Sequence, residues 1–183
     1  VFGADNGITI DRFIRIEAGE DYLWDGTDNS IGSKADAVLR PPIGSAQIAY
    51  VPSGQNAFQP QHAGAFFISS TSEVVKGLTI IYYDFDQAKV ARPPEVFLTY
   101  LGADNNRYQG IVSGAAWGGD GLYFAPLLTP NEESSAVFRI YYDPQNAHEF
   151  NPQMNRRPEV LITQYGCKGC HLLHGDGGNQ GPS

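Results

Sequence analysis

The chain has little cysteine, methionine and charge. Its 183 residues include two cysteines, one methionine and 17% charged residues. Two cysteines cannot build a disulfide framework, and a structural zinc site would need two further ligands. No run of about 18 apolar residues occurs, which excludes a transmembrane helix. Lys and Arg number 12 against 20 Asp and Glu, and the net charge of −8 argues against nucleic acid as a partner.

Glycine, proline and aromatic residues are plentiful, with 21 Gly, 12 Pro, 10 Tyr and 10 Phe. This mixture favours many short strands joined by turns. No apolar repeat of period 3.6 competes before Cys167. A turn is expected at 118–121, after the segment 110–117. The next segment, 122–126, is expected to pair with 136–142. The predicted strands are 12–16, 46–51, 63–69, 78–84, 95–100, 110–117, 122–126 and 136–142.

Residues 167–171 read Cys-Lys-Gly-Cys-His and contain both cysteines of the chain. C-x-x-C-H is the attachment signature of a c-type haem. Each thiol adds to one vinyl group of the porphyrin, and the two-residue gap lets both sulfurs face one side of a single turn. His171 then lies beneath the iron and can bind it through an imidazole nitrogen. The motif predicts covalent haem c on Cys167 and Cys170, with His171 as the metal ligand.

Three other interpretations of the cysteine pair stay open. A zinc site would have to recruit His62, His148 or His174, which lack a recognisable ligand spacing. A thioredoxin-like redox pair would follow a strand in a βαβ unit, and no such pattern precedes the motif. A disulfide between residues three apart would close a small, strained loop.

The residues around the motif add a family resemblance. Gln-Tyr-Gly precedes Cys167, and the stretch 174–182 reads His-Gly-Asp-Gly-Gly-Asn-Gln-Gly-Pro. This resembles the start of a class I cytochrome c domain, where an N-terminal helix carries C-x-x-C-H and a glycine-rich loop ends in Gly-Pro beside the haem. The resemblance implies that the Pro182 carbonyl accepts a hydrogen bond from His171 and orients it. Ordinary turn formation is the alternative for these glycines.

The sequence departs from that family in having no distal ligand after the motif. The methionine, Met154, precedes it. The expectation is that the rest of the domain lies outside this sequence, or that another chain supplies the distal ligand. His174 lies three residues after His171, so on a helix the two would share a face and could not bind opposite sides of one iron.

A second resemblance concerns the β-rich part. Residues 14–24 read Ile-Arg-Ile-Glu-Ala-Gly-Glu-Asp-Tyr-Leu-Trp. They are similar to an Arg-Ile-x-x-Gly-x-Asn-Tyr-Gly-Trp stretch of soluble quinoprotein glucose/sorbosone dehydrogenases, departing at Asp21 and Leu23, and 58–83 resembles the following blade. The resemblance covers about 7–144 and implies a β-propeller, with pyrroloquinoline quinone (PQQ) and calcium as cofactors. The family's catalytic histidine and cofactor-binding arginines have no match, so no catalytic residue is assigned.

We therefore expect a mainly β fold, either part of a β-propeller or a β-sandwich, followed by the start of an α-helical cytochrome c domain. The expected boundaries are a β domain at 1–144, a linker at 145–160 and the haem domain at 161–183. The β part has material for about three propeller blades, fewer than a closed ring needs. A complete sandwich of about eight to ten strands would also fit this length.

Other candidate sites are weaker. Asp84 and Asp86 share a face if both are in a strand and could bind calcium, although exposed strand-end carboxylates are commoner. Turn chemistry explains two oxygen-rich loops, which contain Asp25, Asp28 and Asn29, and Asp104, Asn105 and Asn106. His62 receives no role. The two tryptophans, Trp24 and Trp117, are expected to fill the core or the junctions between blades.

The expected function is electron transfer by one covalent haem, as a component or fragment of a sugar or alcohol dehydrogenase with a redox partner protein. Whether the chain is an enzyme, as a PQQ-dependent dehydrogenase fused to a cytochrome, stays open. The first alternative is a non-catalytic cytochrome whose β domain is structural or binds a partner. The second is a binding module without haem. Covalent haem attachment predicts a periplasmic or extracellular location, and a start at Val1 fits a processed or truncated product.

Overall fold

The protein is described by a computed structural model over residues 1–23, 34–54, 58–72, 75–100, 111–127, 136–145, 172–173 and 176–177. The chain divides into two units, Val1–Asp143 and Pro144–Ser183. The described part of the first unit consists of strands and loops with a 3₁₀ turn at Pro60–His62. The mainly β fold is therefore confirmed for these residues.

The described residues of the first unit form three antiparallel sheets. The first sheet contains, in order, β1 (Phe2–Asn6), β2 (Asp11–Arg15) and β3 (Ala37–Leu39). The second contains β4 (Ser45–Val51), β5 (Ala65–Ser70), β6 (Gly77–Asp84), β7 (Lys89–Val90) and β8 (Glu95–Leu98), and the last two both pair with β6. The third contains β9 (Val112–Trp117), β10 (Leu122–Pro126) and β11 (Phe138–Ile140).

The second sheet is buried on both sides, and its sequence shows why. Strand β5 reads Ala-Phe-Phe-Ile-Ser-Ser, and every residue in it is buried. Strand β6 is buried along most of its length. A strand with one side in water would alternate apolar and polar residues, whereas a continuous apolar run requires a partner on each side.

Two hydrophobic cores supply those partners. One face of the second sheet packs on the first sheet, and the residues concerned include Phe66, Ile68, Ile81 and Tyr83 against Phe13 and Leu39. The opposite face packs on the third sheet, through residues that include Phe67, Leu78 and Ile80 against Val112, Leu122 and Phe124. The three sheets thus lie one against the next in chain order.

The first strands of the three sheets are neighbours. Strand β4 contacts β1 on one side and β9 on the other. The Gln47 side chain of β4 accepts a hydrogen bond from the Ala115 amide of β9 at 3.3 Å. A two-layer sandwich has one core between two sheets, and the described residues do not have that architecture. In folds that repeat a small sheet around a central axis, each sheet packs face to face on the next, as these three sheets do.

The predicted strands agree with the structure to within two residues at each end. The predicted pairing of 122–126 with 136–142 is confirmed, since Leu122 lies opposite Ile140 and Phe124 opposite Phe138. Trp117 packs against the core between the second and third sheets. It lies beside Phe58, with ring centroids 5.8 Å apart, as expected of a core residue. Three described strands of the first unit were not predicted, namely β1, β3 and β7.

Asp11 joins the first sheet to the second. Its side chain is fully buried. Oδ1 accepts a hydrogen bond from the Gly7 amide at 3.1 Å, and Oδ2 accepts from the Ile43 amide at 3.1 Å. Oδ2 also accepts from the amide and the hydroxyl of Ser45, both at 2.9 Å. Because a buried carboxylate is tolerated only when its oxygens are paired, these bonds hold the β1–β2 turn against the start of β4.

Gly77 permits a close approach between β6 and β8. Its φ is +113°, and a Cβ there would lie 2.0 Å from the Leu98 carbonyl oxygen. Replacing Gly77 with alanine is expected to lower the free energy of unfolding by about 2–3 kcal/mol, because backbone strain adds to displacement of β8. Urea denaturation measures this loss.

Gly19→Ala is the matched control for that substitution. Gly19 also has a positive φ, +80°, but nothing lies within 4 Å of its Cβ position. Only the backbone term of about 1 kcal/mol is expected there. Equal losses in the two variants would contradict a role for the contact with Leu98.

Besides Pro144 and Gln145, the described residues of the second unit are two short strands, β12 (Leu172–Leu173) and β13 (Asp176–Gly177), which pair antiparallel. The helix that the cytochrome resemblance implies for 167–171 is not shown, because those residues lie outside the described part. The boundaries at 145–160 and 161–183 stay predictions. Within the described ranges, no helix has the length and apolar character needed to cross a membrane.

Candidate functional site

The residues predicted to hold haem lie outside the described part of the chain: Cys167, Cys170, His171 and Pro182. The same holds for His148, His174, Met154, Trp24 and the loops at 25–29 and 104–106. Their roles stay predictions.

Asp84 acts as the cap of the turn that follows β6. Its Oδ1 accepts hydrogen bonds from the amides of Asp86 at 3.0 Å and Gln87 at 2.9 Å. Its Oδ2 accepts from the Gln87 side-chain amide at 2.8 Å. Among the described residues, no group of three or more His, Cys, Asp or Glu side chains could hold a metal ion. The structure therefore favours the turn role over the calcium site at Asp84 and Asp86.

His62, which the sequence left without a role, borders a cleft of about 160 Å³. The cleft lies where the second sheet meets the third, at the margin of their shared core. It is lined by Phe58, Gln59 and His62 from the β4–β5 connection, Phe97 from β8, and Ile140, Tyr141 and Tyr142 from the end of β11.

The local sequence explains how His62 is placed. Pro60 opens the 3₁₀ turn Pro60–His62, where its fixed φ suits the first helical position. The His62 amide donates to the Gln59 carbonyl at 2.9 Å, and the Gly64 amide donates to the Val51 carbonyl at 2.7 Å. The chain reverses there into β5. This leaves the His62 ring edge-to-face with Phe97, at 5.3 Å and 77°.

The imidazole of His62 is oriented by a row of three further side chains, those of Tyr82, Arg92 and Glu95. His62 Nδ1 lies 2.7 Å from the Tyr82 hydroxyl oxygen, and the tautomer decides which atom donates. The Arg92 guanidinium lies over the Tyr82 ring, 3.6 Å from its centroid. Arg92 also pairs with Glu95 at 3.0 Å. The arrangement fixes Nδ1 and leaves Nε2 without a hydrogen-bond partner among the described residues.

Burial and nearby charges set the protonation states of His62 and Tyr82. Burial lowers the pKa of His62, and the positive charge of Arg92 lowers it further, while Glu95 acts in the opposite direction. Burial raises the pKa of Tyr82, partly offset by Arg92. At neutral pH the imidazole is therefore uncharged and the phenol is protonated.

The lowered pKa of His62 predicts a pH dependence of stability. An unfolded histidine titrates near the usual imidazole pKa of 6.5, above the lowered pKa of His62 in the folded protein, so the unfolded chain binds more protons as the pH falls. We expect the free energy of unfolding to fall more steeply between pH 7.5 and 5.5 for the wild type than for His62→Gln, because glutamine does not titrate. Urea denaturation at several pH values measures both profiles, and parallel profiles would contradict this account.

The His62 cleft does not fit PQQ, a tricyclic quinone with three carboxylates. Ligand pockets typically measure about 300–1,000 Å³, and this cleft measures about 160 Å³. Three carboxylates would need cationic partners. Arg92 already pairs with Glu95 and stacks on Tyr82. No step through PQQ is derived for this cleft.

No protein-family model matches the chain, and no curated protein matches it. Among solved structures, the chain is similar to the PQQ-bound form of an aldose sugar dehydrogenase from Streptomyces coelicolor, with 22% sequence identity and a TM-score of 0.47. The match covers 72% of this chain and 34% of that one, so this chain spans about a third of that protein's length. At this identity, the likeness does not assign a substrate or cofactor here.

Proposed function

We propose that the protein is an electron carrier with one haem c attached through Cys167 and Cys170. The observation that carries the proposal is the C-x-x-C-H run at 167–171, which contains both cysteines of the chain. The donor set fits the group, since two thiols and an imidazole within five residues are what attachment and axial ligation require.

Bound haem iron takes up and releases one electron at a time. The proposed role of this chain's residues is to hold and orient the haem. Cys167 and Cys170 anchor the edge of the porphyrin, and a His171 ring nitrogen binds the iron. The Pro182 carbonyl accepts the other imidazole N–H, which fixes the ring and raises its basicity. A redox partner protein exchanges the electron, and the proposed source of the distal ligand is either the rest of the cytochrome domain, outside this sequence, or another chain.

For the first unit we propose three successive blades of a β-propeller. Support comes from the stacking of three sheets in chain order and from the adjacent first strands β1, β4 and β9. A ring needs more blades than three, so further sheets would complete it. The resemblance of 14–24 to quinoprotein dehydrogenases favours a sugar or alcohol as the source of electrons.

A second candidate is a non-catalytic cytochrome whose β unit binds a partner. The observation in its favour is the size of the His62 cleft, about 160 Å³, with no fit for PQQ. Sugar-dependent reduction of the haem would select the dehydrogenase. Reversible redox titration without such reduction would select the second candidate. In either case, covalent haem attachment supports a periplasmic or extracellular location.

The proposal is tested on the full chain, produced in a host that attaches c-type haem. We expect a c-type pyridine haemochrome spectrum, with colour that stays on the protein during acid–acetone extraction. The mass of the denatured chain should exceed the sequence mass by one haem. A denatured chain without this excess would overturn the proposal.

A further inference from the structure

The His62 cleft has aromatic walls that continue into the core. Phe58 is 3% exposed and meets Phe67 and Trp117 edge-to-face, each at 83°. Phe97 meets Phe67 in the same way, at 77°. An aromatic ring entering the cleft would meet the exposed parts of this cluster and extend its edge-to-face packing, which aromatic pairs prefer over a face-to-face sandwich.

The imidazole of His62 is held through one nitrogen, and its other nitrogen has no hydrogen-bond partner within the part of the chain that the structure describes. The Tyr82 hydroxyl holds His62 Nδ1 at 2.7 Å, which leaves Nε2 as the atom that can meet a ligand. Nε2 is a donor in one tautomer and an acceptor in the other. A ligand hydroxyl satisfies both, because a hydroxyl donates and accepts. The cleft is therefore suited to a hydroxyl more than to a group restricted to one role.

The charges around the cleft favour a neutral ligand. The imidazole is uncharged at neutral pH, as shown above. Arg92 is occupied by Glu95 at 3.0 Å and by the Tyr82 ring at 3.6 Å. An anion would have no free cationic side chain to pair with in this row, and a cation would have no free carboxylate. A charged ligand would lose hydration without an ionic partner.

Size limits the ligand to one ring. The cleft volume of about 160 Å³ is about half the lower limit for typical ligand pockets. We infer that the cleft binds one neutral monocyclic phenol, with its ring among Phe58, Phe97 and Ile140 and its hydroxyl on His62 Nε2. This site is independent of the proposed haem and does not require it.

The experiment titrates the full chain with phenol at pH 7.5 and follows the imidazole signals of histidine by NMR. The His62 signals are identified by their absence in His62→Gln. We expect saturable shifts of those signals with a dissociation constant of about 1 mM, typical of a very small ligand. Tyr123→Phe, on the third sheet outside the cleft, serves as the matched control and should leave the constant unchanged.

Three comparison probes separate the parts of the proposal. Benzene has the ring without the hydroxyl and should bind at least fivefold more weakly than phenol. Cyclohexanol has the hydroxyl without the aromatic ring and should bind at least tenfold more weakly, and glucose should not bind. If cyclohexanol or glucose bound as tightly as phenol, the aromatic class would be wrong.

The histidine variant tests the polar contact. Because His62→Gln lacks the reporting imidazole, binding to this variant and to the wild type is compared on the ligand's own NMR signals. Phenol should bind the variant about tenfold more weakly, whereas benzene should keep its affinity because it uses only the walls. Retained benzene binding also shows that the variant is folded. Unchanged phenol binding in this variant, or no shift of the wild-type His62 signals at millimolar phenol, would overturn the inference.

Discussion

Asp11→Ala is expected to lower the free energy of unfolding by about 4 kcal/mol. The carboxylate is fully buried and accepts four hydrogen bonds, from Gly7, Ile43 and Ser45. Alanine removes every acceptor and leaves three backbone amides without this partner, that of Ile43 in a buried position and those of Gly7 and Ser45 in partly buried ones. Each unpaired buried group costs about 1–3 kcal/mol. Urea denaturation followed by tryptophan fluorescence measures the loss.

Two further variants separate the acceptor role from general effects of mutation. Asp11→Asn keeps the shape and one acceptor oxygen, so a loss of about half that of alanine is expected. Asp86→Ala removes an exposed carboxylate and should change stability by less than about 0.5 kcal/mol. If Asp11→Ala were no more costly than Asp86→Ala, the link between the first and second sheets would not depend on this carboxylate.

Cys167→Ala combined with Cys170→Ala is expected to abolish covalent haem completely. With both thiols gone, no thioether bond can form, and only the bond from His171 to the iron would hold the porphyrin. The mass excess of the denatured chain should disappear, and acid–acetone should extract all the colour. A double variant that kept the same mass excess would contradict the assignment of these cysteines.

Histidine variants distinguish haem from the zinc alternative. A zinc site would need two of His62, His148 and His174 as further ligands, so at least one of His148→Ala and His174→Ala would release metal. For haem c, neither substitution should alter the covalent mass excess. His171→Ala should leave the thioethers in place but change the iron spectrum, because the axial ligand sets the electronic state of the iron.

The apolar strands could be predicted because their signal is local. Segments such as 78–84 are apolar, rich in β-branched and aromatic residues, and bounded by glycine or turn residues. Strand β1 was missed because Phe-Gly-Ala-Asp-Asn has only two apolar side chains besides glycine. Its place is set by distant contacts, since the Phe2 ring lies 4.5 Å from Phe66 and 4.8 Å from Tyr83. No local pattern reveals such contacts.

The cleft could not be predicted, for the same physical reason. His62 and Tyr82 are 20 residues apart in sequence and meet only through the pairing of β5 with β6. Asp11 was likewise missed, because two of its donors lie 32 and 34 residues away.

Strand β5 is apolar along most of its length because both of its sides are covered. In a strand with one solvent-exposed face, a register shift by one residue would move the apolar side chains into water. The free-energy penalty of that exposure selects a single register. Most of β5 lacks this penalty, so the alignment has to be selected at its end. There the Ser70 hydroxyl contacts the carbonyl oxygens of Ile43 and Val75, and Gly77 passes close to Leu98. Ser70 and Gly77, at the margin of the central sheet, therefore fix its strand register more than its apolar interior does.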